Sequence, residues 1–300
     1  MTPHTPLTPA SFRFFHRLRV RWAEVDLQKI VFNPHYLMYL DTAIGEYWRA
    51  LALPYEATMH RLGGDLYVKK AVAEYHASAR YDDVLDIGLR CERIGNSSIQ
   101  FRGGVFRSGQ LLVTGELVYV FADPAAQTSK PVPAALREVL HAYEAGEAMV
   151  DVRLGDWAGL AADARALRTE VFLQEQQIPL ELEWDGADDA AVHAVAYNRL
   201  GVPVATGRLL QQASGVGRIG RMAVTRLLRG AGVGQAVLQA LIQAALQRGD
   251  HTVVLHAQRS AQGFYARAGF VPQGDEFEEA GIAHIEMVRR LEAQTSSSRG

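Results

Sequence analysis

The stretch RWAEVDLQKIVFNPHYLMYLDTAIGEYWRAL, residues 21–51, decides how the first half of this chain folds. Into it, from His16 to Trp22, apolar and charged residues alternate with the two-residue period of a half-buried strand. After Asn33-Pro34 the period changes. Tyr36, Leu37, Leu40, Ile44, Tyr47, Trp48 and Leu51 recur at helical spacing, with Asn33 as the predicted N-cap and Pro34 at the first helical position. That apolar face is broad enough to need a wrapping. The runs DLYVKKAVAEYHASA, DVLDIGLRCERI, SSIQFRGGVFR and QLLVTGELVYVFA supply it: they read as strands, split by Tyr-Asp-Asp, Gly-Asn and Ser-Gly turns. A long helix followed by antiparallel strands predicts an α+β layer with the sheet curled around the helix.

Asp26 stands between strand and helix. An aspartate there is most often a turn or cap residue, but Asn33 already holds the cap position, so Asp26 falls too early to serve this helix. Its neighbours Trp22, Val25, Ile30, Val31 and Phe32 predict an apolar setting of the kind that poises a carboxylate for chemistry. The pattern Asp-x-x-x-Ile-Val-Phe-x-Pro-x-Tyr, from Asp26 to Tyr36, resembles hotdog-fold thioesterases of the 4-hydroxybenzoyl-CoA thioesterase/YbgC-like type. ERIGNSSIQF, LLVTGELVYVFAD and KPVP extend the resemblance over about 14–143. It implies that Asp26 acts as nucleophile or general base on a thioester of coenzyme A or an acyl carrier protein. The Asn33 backbone N–H would supply the oxyanion donor at the positive helix tip. His35, Glu46 and Ser98 are further pocket candidates, and the resemblance implies a homodimer or homotetramer with sites between subunits. One position departs from the family, which usually has glycine three residues after the aspartate; this chain has Lys29.

DPAAQTSKPVP breaks the first pattern, a short helix AALREVLHAYEAG follows, and a new rhythm begins near residue 148. Strand VDVRL leads to a helix, roughly AGLAADARALRTEVFLQEQ, then to strands AVHAVAYN, VPVATGRLLQ and GRIGRMAV. A helix over about 232–248 puts Val233, Val237, Leu238, Leu241, Ile242 and Leu246 on one face, with Gly249 as its C-cap. Strand TVVLHA, helix SAQGFYARAG and strand IAHIEMVRRL complete a mixed α/β unit. The expected organisation is a mobile N-terminus (1–13), a first domain (14–143), a linker (144–150), a second domain (151–291) and a mobile tail (292–300).

Gly230, Gly232 and Gly234 lie between strand and helix, where backbone N–H groups can converge on a phosphate. A P-loop would continue with Lys and Ser/Thr, but Gln235-Ala236 follow, and the dinucleotide fingerprint spaces its last glycine differently. Arg229-x-x-Gly232-x-Gly234 resembles the acetyl-coenzyme A pyrophosphate loop of GNAT N-acetyltransferases. RTEVFLQEQQIP, EWDGADD, GRMAV, FYARAGF and AGIAHIEM appear in the order of that family's ElaA-type branch, over about 150–291. The resemblance implies that the backbone of Met222, Ala223 and Val224 binds the pantetheine arm and polarises the thioester carbonyl. The loop Arg229, Gly230, Ala231, Gly232, Val233 and Gly234 would hold the pyrophosphate, and Tyr265 would protonate the departing sulfur. The base for the acceptor amine stays open among Glu181, Glu183, Glu279 and His284.

Composition fits this reading. The chain has 300 residues, 48% hydrophobic and 21% charged, which is ordinary for a two-domain globular protein. A net charge of −2 gives no reason to expect nucleic acid as partner. Cys91 alone excludes an intrachain disulfide, no signal peptide or membrane span is legible, and a cytoplasmic location is expected. None of the 10 histidines forms a metal-ligand spacing, so no metal is expected. The two resemblances together imply a bifunctional enzyme, with an acyl thioesterase followed by an acyltransferase that uses acetyl-CoA as co-substrate and a small-molecule or protein amine as acceptor. The alternative is an acyl-CoA-binding or scaffold protein with one or both domains non-catalytic.

Overall fold

In the computed structural model, which describes residues 7–292, the helix predicted after Asn33 runs Pro34–Ala50 (α1). It buries Tyr36, Tyr39, Leu40, Ala43, Ile44, Tyr47 and Trp48. Strands β1 (Phe14–Arg19), β2 (Asp65–Tyr75), β3 (Val84–Ile94), β4 (Ser98–Arg107) and β5 (Gln110–Asp123) form an antiparallel sheet in the order β1-β3-β4-β5-β2, and a short β6 (Thr128–Ser129) pairs with β5. Helix α1 touches β1, β2, β3 and β5, so the sheet covers the apolar face that the sequence left open. Close approach rests on two glycines. Gly103 and Gly115 face each other across β4 and β5, and a Cβ on either would stand 2.4 Å or 2.5 Å from the fully buried Leu40. Helices α2 (Tyr55–Leu62) and α3 (Ala134–Glu144) complete the unit.

Three expectations change here. The first strand ends at Arg19, and Trp22–Glu24 form a 3₁₀ turn instead of continuing it. Asn33 occupies the cap position, but its backbone is already helical (φ −50, ψ −37) and its side chain caps nothing. The entry to α1 is fixed instead by backbone bonds of 2.9 Å, from Val31 N–H to the Ala79 carbonyl and from Phe32 N–H to the Glu24 carbonyl. The ordered unit also begins before residue 14: Phe12 is buried between Phe15 and Phe106, and the Arg13 guanidinium donates to the Tyr143 carbonyl. The rest of the expected mobile ends, 1–6 and 293–300, lies outside the described residues.

The chain divides into a unit ending at Met149 and a unit starting at Val150. The second contains β7 (Val150–Gly155), α4 (Trp157–Arg168), α5 (Leu180–Glu183), β8 (Val192–Asn198), β9 (Pro203–Ala213) and β10 (Val216–Val224). Then follow α6 (Val233–Arg248), β11 (Thr252–Gln258), α7 (Gln262–Arg267), β12 (Val271–Glu279) and β13 (Ile282–Arg290). Its sheet has the order β12-β13-β11-β10-β9-β8-β7, antiparallel except for the parallel pair β10–β11. Asp156 caps α4 by accepting from Gly159 N–H at 2.9 Å. The helix expected to run on to Gln176 instead widens into a π-helix over Thr169–Glu175. Gly249 ends α6 at φ 92, the left-handed C-cap that the sequence predicts. The architecture is α+β: a curled antiparallel sheet on a helix, followed by a mixed α/β unit.

Candidate active sites

The second unit opens at its parallel strand pair. β10 pairs with β11 only at Val216–Arg218, so its β11-facing edge from Ile219 to Val224 has no ladder partner. A bulge between Gly220 and Ala223, with Arg221 at φ 53, turns β10 away at this point. A cleft of about 560 Å³ fills the gap, lined by Met222 and Val224 on one side and by Arg229, Gly230, Gly232 and Gly234 on another. Strand alternation turns the Ala223 side chain to the opposite face, against Val171 and Phe172. Val233 points into the core and Ala231 does not line the cleft, so both would contribute through backbone alone.

The glycine loop presents donors. Among the described residues no acceptor meets the N–H of Gly230, Gly232 or Gly234. Gly230 and Gly232 have φ 85 and 83, which side-chain-bearing residues rarely adopt, and a Cβ on either would enter open space. Unpaired N–H groups at the positive end of α6 make a cradle for an anion. The Arg229 side chain is otherwise engaged: it forms a bidentate pair with Glu175 at 2.6 and 2.7 Å. Glu175 comes from the π-helix, so that widened turn is what carries the carboxylate to the loop.

A second cleft, also about 560 Å³, meets the first at Met222, Gln176, Gln258 and Tyr265. Tyr265 is buried between Phe264 and Phe270, and its hydroxyl has no partner among the described residues. Burial pushes its phenol up to about 12, so it stays protonated near neutrality. Behind the second cleft lies an ion network. Arg168, 1% exposed, is bonded to Glu183 and, at 2.8 Å, to Asp188. Arg208 also holds Asp188 at 2.8 Å and pairs with Asp185, while Arg221 reaches Glu183 and Asp185 at 3.0 Å. The Arg208 bond, against some burial, holds Asp185 well below the usual carboxylate range; burial of Glu183 outweighs its arginines and pushes that carboxyl up.

In the first unit, Asp26 sits on a short hairpin. Val25 bridges Val31, Asp26 N–H donates to the Ile30 carbonyl at 2.9 Å, and Gln28 N–H donates to Asp26 Oδ1 at 2.8 Å. The hairpin folds back onto the start of α1 through Phe32 N–H and Glu24. Glu24 is buried, accepting from Tyr39 Oη at 2.8 Å and from Arg21 N–H at 2.7 Å. Burial pushes the Glu24 carboxyl up, but these bonds outweigh it and hold it below its ordinary value. The Asn33 N–H has no acceptor among the described residues.

Residues 160–291 match the family model described as an acetyltransferase (GNAT) domain, and residues 20–140 match the thioesterase-like superfamily. The N-acetyltransferase YjcF of Bacillus subtilis, itself described as uncharacterized, is 38% identical over 128 residues, which are 42% of this chain and 90% of that protein. This chain belongs to the GNAT acetyltransferase family, and a thioesterase-like domain precedes that part. The crystal structure of Escherichia coli ElaA is similar to it at 30% identity and TM-score 0.43, covering 47% of this chain and 100% of that one. A thioesterase of Thermus thermophilus, crystallised with coenzyme A and Zn, is similar at 23% identity and TM-score 0.40, covering 45% of this chain and 96% of that one.

In the acetyltransferase domain, the predicted loop, the β10 positions and Tyr265 converge on the cleft pair. Of the base candidates, Glu183, Glu279 and His284 line the second cleft and the exposed Glu181 does not. Arg168, Asp188 and Arg208 were not singled out from sequence; Arg168 opens RTEVFLQEQ, and its lone charge on an apolar helix face was the available signal. In the thioesterase-like domain the apolar enclosure expected around Asp26 does not form within one chain, because Trp22 and Phe32 are 75% and 50% exposed. A cavity of about 330 Å³ in this domain is lined by Asp41, Trp48, Tyr55, Tyr119 and neighbours, and by none of Asp26, Asn33, His35, Glu46 or Ser98. Glu46 pairs with Arg49 on the helix surface.

Lys29 explains the glycine usual at its place. Its φ of 62 is left-handed, and its side chain is exposed with no ion pair to Asp26 among the described residues. Lys29→Gly is expected to relieve that strain and raise stability by up to about 1 kcal/mol, after the greater freedom of glycine in the unfolded chain is subtracted. Urea unfolding of both chains checks it; an unchanged or lower midpoint would contradict the strain.

Proposed function

We propose that the acetyltransferase domain transfers an acetyl group from acetyl-CoA to an amine. The observation that carries this reading is the pair of clefts meeting at Met222 and Tyr265, one floored by unpaired loop N–H groups and the other walled by charged side chains. The loop from Arg229 to Gly234 binds the pyrophosphate through backbone N–H groups, with the dipole of α6 behind them. The open edge of β10, at Met222, Ala223 and Val224, hydrogen-bonds the pantetheine arm and faces the thioester carbonyl. Tyr265 donates its proton to the leaving sulfur, a role suited to a buried, neutral phenol.

The thioesterase-like domain, on this reading, hydrolyses an acyl-CoA or acyl carrier protein thioester. Asp26 attacks the acyl carbon or activates water, while Asn33 N–H receives the oxyanion. A second copy of the chain completes the site. β2 is an edge strand exposed along most of its length, with Val68 54% and Tyr75 49% exposed, and such an edge pairs readily. Among the described residues no helix is long and apolar enough to cross a membrane.

Acetyl-CoA is expected to raise the thermal unfolding temperature of the full chain, because a ligand bound only by the folded state stabilises it by mass action. Gly232→Leu fills the cradle and should abolish that shift. Retention of the full shift would remove the loop from the pyrophosphate site, and no shift in the parent chain would remove acetyl-CoA as the ligand.

A further inference from the structure

One imidazole on the second cleft of the acetyltransferase domain is surrounded by groups from three neighbouring strands. His256 lies on β11, and its Nδ1 is 2.9 Å from an Arg218 guanidinium nitrogen of β10 and 3.1 Å from Glu279 Oε2 of β12. Its Nε2 is 3.9 Å from Glu286 of β13, beyond hydrogen-bond reach, and has no hydrogen-bond partner among the described residues. His284, the other imidazole on this wall, donates from Nδ1 to the Ile282 carbonyl at 2.8 Å. Phe277 stands between the two rings, its centroid 4.7 Å from that of His256 and 6.0 Å from that of His284.

We propose that His256 is the general base that takes the proton of the acceptor amine, with Glu279 as a positioning residue. The proposal rests on the acetyltransferase reading given above. The two Nδ1 contacts demand opposite states of that atom. A carboxylate only accepts, so the Glu279 contact requires a proton on Nδ1 and leaves the lone pair on Nε2; a guanidinium only donates, so the Arg218 contact requires Nδ1 bare. Where the Glu279 contact holds, the ring carries its proton on Nδ1 and is basic at Nε2, the nitrogen without a hydrogen bond. As Nε2 gains a proton, the carboxylates of Glu279 and Glu286 meet the new charge against the opposing Arg218 guanidinium. The other candidates lack this arrangement. Glu183, on the cleft wall, is 2% exposed and bound to Arg168 and Arg221; Glu181 is off the cleft; His284 donates Nδ1–H to a carbonyl, which also leaves its Nε2 basic, but among the described residues no carboxylate pairs with its ring.

In the step itself, the amine lone pair forms the N–C bond and the carbonyl π pair moves to oxygen. The nitrogen gives its proton to His256 Nε2. The oxygen pair then re-forms the carbonyl as the C–S bond breaks, and the thiolate takes the Tyr265 proton; solvent afterwards removes the proton from His256 and restores that of Tyr265.

The test follows thiol release from acetyl-CoA with spermidine, lysine and 2-phenylethylamine, in an Asp26→Ala background that silences the other domain. His256→Gln is expected to lower amine-dependent kcat at least 10²-fold near neutral pH. Acetyl-CoA thermal protection should be unchanged, and the rate should recover as rising pH deprotonates the amine without help. Glu279→Gln should lower kcat with KM for acetyl-CoA held, and Glu279→Asp should restore part of it. A His256→Gln rate within twofold of the parent at every pH, or a loss expressed wholly in KM for acetyl-CoA, overturns the base and leaves the acetyltransferase reading standing. A parent chain that binds acetyl-CoA but acetylates none of the amines overturns both.

Discussion

Arg168→Ala is expected to destabilise the acetyltransferase domain by about 3–5 kcal/mol, the loss typical when one member of a buried ion network is removed. Arg168 is 1% exposed, its guanidinium lies 4.5 Å from the Trp184 ring centroid and 5.5 Å from that of Trp157, and it is bonded to Glu183 and Asp188. Truncation leaves Glu183 and Asp188, 2% and 6% exposed, with less countercharge, and it empties the slot between the indoles. Arg168→Lys should recover little, because an ammonium cannot serve two carboxylates through a planar fork. Chemical unfolding followed by tryptophan fluorescence, with Trp157 and Trp184 as reporters, checks this. A loss below about 1 kcal/mol, the scale of an exposed ion pair, would mean that Arg208 and Arg221 hold the carboxylates alone.

Asp26→Ala should lower hydrolysis of acyl-CoA esters by about 10²–10⁴-fold, the usual loss when a general base is removed. Thiol release from a panel of acyl-CoA esters measures it, with Gly232→Leu in the background so that the other domain does not contribute. Equal rates in the two chains would end the hydrolase assignment. A second variant separates nucleophile from oxyanion donor. Asn33 has φ −50, which proline adopts, and an N–H without an acceptor among the described residues, so Asn33→Pro deletes the donor. Its expected effect is about 2.7–4 kcal/mol on the barrier.

Helices and strands with strong periodicity were legible because one physical rule governed them. α1 and α6 each show a single apolar face, and β3, β4 and β5 are bounded by turn residues. Where a second rule intervened, the sequence misled. Val271–Glu279 carries Pro272, Gly274 and a run of acids, so it does not read as a strand, yet it forms β12 because β13 supplies a ladder partner. The helix after α4 keeps a helical period across Arg168–Gln176, and period alone cannot reveal the switch to π hydrogen bonding. The glycine loop and Tyr265 could be found because their spacing carries chemistry. Glu24 and Arg208 could not, since a charged residue in a strand or turn looks solvent-facing until its partners from distant segments are placed. His256 belongs with them: Arg218, Glu279 and Glu286 come to it from three other strands.

The parting of β10 from β11 after Arg218 leaves this protein with a sheet that is whole only when something else lies in the seam. A slender chain bearing its own amides could zip into that slot as a borrowed strand, so that recognition and completion of the scaffold become one event. Sealing such a slot with native backbone would make a sturdier protein and a mute one.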